Sequence, residues 1–273
     1  MKTEELKQHA AHIRENIVRM VANANSGHPG GSLSAADILT VLYFEVMDIN
    51  EDNVKGIDRD RFVLSKGHAS PLLYATLFEK GLLHEDLNIF RKINSKLQGH
   101  PNMNYVDGVD MSTGSLGQGI SAAVGMALAN KVDGNDHRVY TLLGDGECEE
   151  GEVWEAAMAA AHYRLNNLCA IVDFNSLQID GNIRDVMNPT PIDEKFKAFG
   201  WNVINIKGHD YEDIRFAFDE AKKEKEKPTM ILAHTIKGKG VSFMENNAAW
   251  HGSAPNAEQC AQAVKELEGE GNE

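Results

Sequence analysis

Apolar and polar positions along this chain alternate between two spacings. From Thr3 to Ala24, Leu6, Ile13, Ile17, Met20 and Val21 recur at helical intervals among charged residues, which predicts an amphipathic helix. Asn25 to Gly31 then reads as a glycine- and proline-containing loop, and Ser34 as the N-cap of a helix running through Met47. A short strand is predicted at Arg61 to Leu64. Two β-rich apolar runs, Arg138 to Leu143 and Leu168 to Val172, read as buried strands, and two more strands are predicted at Trp201 to Ile206 and Thr229 to His234. Helical stretches separate them: Leu72 to Lys80, a short one at Glu85 to Arg91, Ile120 to Lys131, Glu150 to Tyr163, Tyr211 to Lys225 and a closing helix at Ala257 to Leu267. Gln178 to Pro191, Lys237 to Gly240 and Asn246 to Pro255 read as loops, and Glu268 to Glu273 as a fraying end. Strands alternating with helices predict an α/β fold with a doubly wound, mostly parallel sheet. No linker, repeat or low-complexity tract divides residues 1–273, so a single domain with an N-terminal helical extension is expected.

Composition narrows the function. The chain has 273 residues, 42% hydrophobic and 25% charged, enough for one large core. A net charge of −14 argues against nucleic acid or an anionic membrane surface as partner. A phosphorylated ligand would then need local cations, a metal or helix N-termini. Cys148, Cys169 and Cys260 are too far apart for a disulfide framework or a zinc site. Cys169 reads as a small buried hydrophobe, and Cys148 as either that or an oxidisable thiol. No signal-peptide core and no apolar run of membrane-spanning length is seen, which leads to an expected cytoplasmic protein.

The candidate chemistry lies in Gly144-Asp145-Gly146 and Asn175, each at the end of a predicted buried strand, with the Glu150 to Tyr163 helix between. Ligands of open α/β sheets bind at such carboxyl ends. Asp145 offers a carboxylate, Asn175 an amide oxygen, and the turn at Ser176-Leu177 a backbone carbonyl. With diphosphate oxygens and a water, these hard donors suit Mg²⁺ or Ca²⁺ and not Zn²⁺. Gly146 leaves room for a phosphate to approach. Gly-Asp-Gly also occurs in ordinary strand-end turns; the spaced Asn and the strand–helix–strand setting favour the ligand reading.

Four of the 11 histidines stand in glycine or proline loops: His28, His68, His100 and His251. Loop imidazoles beside glycines can donate to phosphate or hydroxyl oxygens, or relay protons. One such histidine alone would be an ordinary surface group. His9, His12, His137 and His162 are read as structural or solvated. Gly114-Ser115-Leu116-Gly117 opens a small-residue helix and would suit a flat heteroaromatic ring packed on Leu116, although such loops also serve close packing alone.

Taken together, these segments resemble the thiamine-diphosphate-dependent transketolases. The matching stretches are Ser26 to Gly30, Asp60 to Ala69, Gly99-His100-Pro101, Ser112 to Gly119, and Gly144-Asp145-Gly146 with Asn175, in the family's order. The resemblance implies a thiamine diphosphate cofactor with Mg²⁺ or Ca²⁺ held by Asp145, Asn175 and the Leu177 carbonyl. It implies diphosphate contacts from Gly146, His68 and His251, and a wall for the cofactor rings at Gly114, Ser115 and Leu116. It also implies catalytic roles for His28, His100 and His251 toward sugar hydroxyls and developing charge. Glu150 matches a carboxylate at the family's dimer interface, or is one more exposed glutamate beside Glu147, Glu149 and Glu152.

A transketolase chain of the usual kind is more than twice this long. The resemblance therefore implies half of an active site, in an N-terminal subunit that transfers a two-carbon ketol unit from a ketose phosphate to an aldose phosphate, as in the pentose phosphate pathway. A separate C-terminal subunit of roughly 300 residues would carry the pyrimidine-binding domain and its catalytic glutamate. The expected assembly is an α₂β₂ heterotetramer. A truncated chain is the other explanation for the length. Two functional alternatives stay open: a related enzyme (1-deoxyxylulose-phosphate synthase-like, 2-oxo acid decarboxylase-like, or acting on an unusual sugar) and a non-catalytic thiamine-diphosphate-binding module.

Overall fold

A computed structural model describes residues 1–271. Five strands form one parallel sheet: β1 (Arg61–Leu64), β2 (Val139–Gly144), β3 (Leu168–Phe174), β6 (Asn202–Lys207) and β7 (Thr229–His234), in the order β1-β2-β3-β7-β6. The small strands β4 (Leu177–Gln178) and β5 (Gly181–Asn182) pair antiparallel as a separate hairpin just after β3.

Both faces of the sheet are covered, which is why its strands read as continuous apolar runs. Phe62, Leu142, Ile171 and Ile231 face one core with α1 (Thr3–Ala24), α3 (Ala36–Val41), α4 (Ser70–Glu79), α9 (Tyr211–Lys223) and α10 (Ala257–Glu270). Val63, Leu143, Val172 and Leu232 face the other with α5 (Gln118–Asp133), α6 (Gly151–His162) and α8 (Ile192–Ala198). The doubly wound prediction therefore holds. Strand order reverses between β3 and β7, so the crevice beyond their carboxyl ends is the place for a ligand. Among the described residues no helix is long and apolar enough to cross a membrane.

Four local elements differ from expectation. The chain turns helical already at α2 (Pro29–Leu33), with proline in its first turn, and Ser34 is not the N-cap of a helix through Met47. Its hydroxyl donates to Asp173 Oδ2 at 2.5 Å, so it is committed to the sheet. After α3 the helix widens into a π turn over Leu42–Val46. Glu85 to Arg91 shrinks to one 3₁₀ turn, Leu87–Ile89, capped by Asp86. The Gln178 to Pro191 loop contains the β4–β5 hairpin and α7 (Ile183–Val186). Glu268 to Glu270 continue α10, which a capping box between Asn256 and Gln259 starts; Asn272 and Glu273 lie outside the described residues.

Candidate active site

β2 and β3 end side by side, with Gly144 opposite Asp173. Parallel pairing thus brings the Asp145 turn beside the Asn175 turn. Asp145 is 3% exposed; its Oδ1 accepts from Gly146 N at 2.9 Å and its Oδ2 from Ser176 N at 2.5 Å. Asn175 Oδ1 accepts from Leu177 N at 3.1 Å, and the Leu177 carbonyl accepts from Lys237 Nζ at 2.8 Å. Asp145, Asn175 and Leu177 all line one cavity of about 330 Å³, together with Gly146, His68, Leu116, Glu150 and His251.

Beneath them lies a charge network that sequence reading missed. Asp173 is fully buried and accepts from Lys66 Nζ and Ser34 Oγ, both at 2.5 Å, from the Thr235 hydroxyl, and from Asn175 Nδ2 at 3.3 Å. Burial alone would raise its carboxyl, but Lys66 and the two hydroxyls hold it below the usual carboxylate range. Burial, then the Asp173 charge, push Asp145 up to about 6. Lys237 Nζ also lies 2.9 Å from His251 Nδ1, and burial with the nearby Lys66 charge lowers its ammonium to about 8. Glu147, 2% exposed, is a further missed carboxylate in the cavity wall; burial raises it against hydrogen bonds from Ser65, Gly117 and Gly144. A charged residue ending an apolar run, as Asp173 does, was the one available signal for this network.

The four loop histidines converge. His28 lies 5.3 Å from His68, 5.5 Å from His251 and 6.3 Å from His100 between ring centres, and His68 stacks on His251 at 5.2 Å. Burial, then the Arg91 charge, lowers His28 to about 4, and burial, then Lys237, lowers His251 to about 3. Burial and Lys66 push His68 well below its usual value, and burial and Arg91 lower His100. All four are therefore neutral at pH 7, each able to donate from one ring nitrogen and accept at the other. His28 Nδ1 is buried and has no hydrogen-bond partner among the described residues. His28, His100, Gly114 and Ser115 do not line the cavity itself. His100 packs on Gly114, where an added Cβ would come within 3.2 Å of the ring, and Ser115 is exposed.

Cys148 is buried, and its thiol is pushed well above its usual value by burial and the neighbouring carboxylates, so the packing reading applies. Cys169 lies in β3, also fully buried. His9 and His12 share Glu79, at 2.8 and 3.1 Å.

The donor set fits a hard divalent cation. It offers one carboxylate, one amide oxygen and one backbone carbonyl, and each oxygen retains a lone pair beyond its present hydrogen bonds. A cation against Asp145 would also relieve the crowding of two buried carboxylates.

The family described as "Transketolase, thiamine diphosphate binding domain" matches residues 6–272. The chain belongs to the transketolase family. It is 43% identical over 268 residues to an apulose-4-phosphate transketolase subunit of Phocaeicola vulgatus, covering 98% of this chain and 95% of that one. It is 46% identical over 266 residues to the 6-deoxy-6-sulfo-D-fructose transketolase subunit SqwG of a Clostridium species, covering 97% of each. The crystal structure of transketolase from Campylobacter jejuni superposes with a TM-score of 0.91 at 39% identity, over 98% of this chain but 43% of that one. The family's cofactor is thiamine diphosphate with a divalent metal such as Mg²⁺ or Ca²⁺.

Proposed function

We propose that this chain is the cofactor-gripping subunit of a two-chain transketolase, moving a two-carbon ketol unit from a ketose to an aldose. The observation that carries the reading is the convergence of four loop imidazoles, two of them lining the cavity that Asp145, Asn175 and Leu177 also line and two packed behind them. Bound thiamine diphosphate supplies the nucleophilic carbon and the electron sink for cleaving a bond beside a carbonyl. Asp145, Asn175 and Leu177 would hold the metal, Gly146, His68 and His251 the diphosphate, and Gly114, Ser115 and Leu116 the rings. Lys237, in the same cavity, adds a cation for an anionic ligand. His28, His100 and His251 would donate to the sugar hydroxyls and carry protons to and from the reacting oxygens. Residues 1–273 would form one cofactor-binding domain extended by α1.

The relatives matched along nearly their whole length are called subunits, which supports a separate partner chain bearing the rest of the site, in an α₂β₂ assembly. Their names also favour a second reading of the substrate, a branched or sulfonated sugar in place of an ordinary pentose phosphate.

Turnover is expected only when this chain is mixed with its partner, the candidate being the product of a neighbouring reading frame. The assay takes xylulose 5-phosphate with ribose 5-phosphate, then apulose 4-phosphate and 6-deoxy-6-sulfo-D-fructose, with Mg²⁺ and thiamine diphosphate. Activity of this chain alone would refute the split site. His28→Ala and His100→Ala are each expected to lower kcat by about 10²–10⁴-fold, the usual worth of positioned acid–base groups, with cofactor affinity unchanged. Equal loss of cofactor binding would instead place both in the cofactor site.

A further inference from the structure

α5 begins without a capping side chain of its own. Its N-cap is Gly117, at φ +84°, a left-handed conformation that glycine adopts readily. The first-turn amides must still find acceptors, and two side chains from neighbouring strand ends provide them. Glu147 Oε1 accepts from Gly117 N at 2.9 Å and from Ser65 Oγ at 2.5 Å. Ser65 Oγ accepts in turn from Ile120 N at 3.2 Å. The other carboxylate oxygen, Oε2, accepts from Gly144 N at 3.0 Å. The fit is close: a Cβ at Gly119 would come within 2.5 Å of Ser65 Cα. The far end of the same loop is fixed by Thr113, whose hydroxyl donates to the Leu64 carbonyl at 2.7 Å.

We infer that Glu147, with Ser65, is a positioning residue that sets the spacing between the ring-binding loop (Gly114 to Gly117) and the metal-binding turn (Gly144 to Gly146). The inference rests on the proposed cofactor reading of those two segments. One buried carboxylate bonds to both, so the two ends of an extended cofactor are held in register through it. Glutamine has the same shape but cannot replace it. Oε1 and Oε2 both receive backbone N–H groups, so the amide NH₂ must face a donor in either orientation and one buried N–H is left unpaired.

The test compares Glu147→Gln and Ser65→Ala with the wild-type full chain, each assembled with its partner, using two probes: Mg²⁺ with thiamine diphosphate, and Mg²⁺ with inorganic pyrophosphate. Calorimetric titration is expected to show about tenfold or greater weakening for thiamine diphosphate and less than about twofold change for pyrophosphate, which does not extend to the ring-binding loop. Amide hydrogen exchange should speed up at Gly117 and Ile120 while β2 and β3 keep their protection. Equal weakening for both probes, or unchanged exchange at Gly117 and Ile120, would overturn the inference. If the wild-type chain binds neither probe even with its partner, the cofactor reading fails on its own, and the exchange pattern alone decides whether Glu147 and Ser65 hold the loop. Ser65→Ala leaves the Glu147 carboxylate in place and provides the answer if Glu147→Gln does not fold.

Discussion

Replacing Asp173 by alanine should remove about 3–5 kcal/mol of folding stability, the usual cost of stranding one member of a buried ion pair. Lys66 is 1% exposed and loses its only carboxylate partner among the described residues, while the Ser34 and Thr235 hydroxyls and the Asn175 amide lose an acceptor. Urea denaturation at pH 7 measures the loss. The Lys66→Met, Asp173→Leu double variant should recover part of it, because an apolar pair removes the stranded charge. A loss below about 1 kcal/mol would mean that Lys66 has no need of this carboxylate. The contribution also has a pH signature. The folded Asp173 carboxyl is held below its value in the unfolded chain. The folded state therefore binds fewer protons there, so the contribution is fully present above about pH 4 and is lost as the pH falls further.

Asp145→Ala should eliminate the stabilisation that the cofactor gives. With Mg²⁺ and thiamine diphosphate at about 100 times Kd, the wild-type chain with its partner should gain about 2.7 kcal/mol by mass action. The variant should gain nothing measurable. Even outer-layer partners of metal ligands are worth about 10–100-fold in affinity, and Asp145 provides the only carboxylate among the three oxygen donors. Thermal melts with metal, with cofactor and with both check this. A wild-type-sized shift in the variant would remove Asp145 from the metal site. Its melting point without ligand should stay within a few degrees, since Asp145 bonds to backbone amides and not to a lysine in the way Asp173 does.

How far the sequence carried these conclusions depended on how local the determining contacts are. The strands were readable because burial on both faces makes each an apolar run, as in Leu168 to Val172. Asp145, Asn175 and the glycine-flanked histidines were readable because short motifs carry them. Ser34 was misread because its partner, Asp173, is remote in sequence but adjacent in the fold. Lys66, Lys237 and Glu147 were missed for the same reason, since each acquires its role from groups that only the sheet order brings near. The short hairpin after β3 escaped notice because two-residue strands leave no periodic pattern.

The strand order also has a consequence for synthesis. β7 is the last strand of the sheet to leave the ribosome, yet it lies inside the sheet between β3 and β6. Until Thr229–His234 has emerged, β3 presents an open edge, the kind of template that recruits other chains. Pairing of such distant strands is slow, which prolongs the exposure. Lys237 and His251 follow β7, so the cavity they line cannot close before that strand docks. A ligand of that cavity binds only the finished fold, and by mass action it draws the newly made chains toward it.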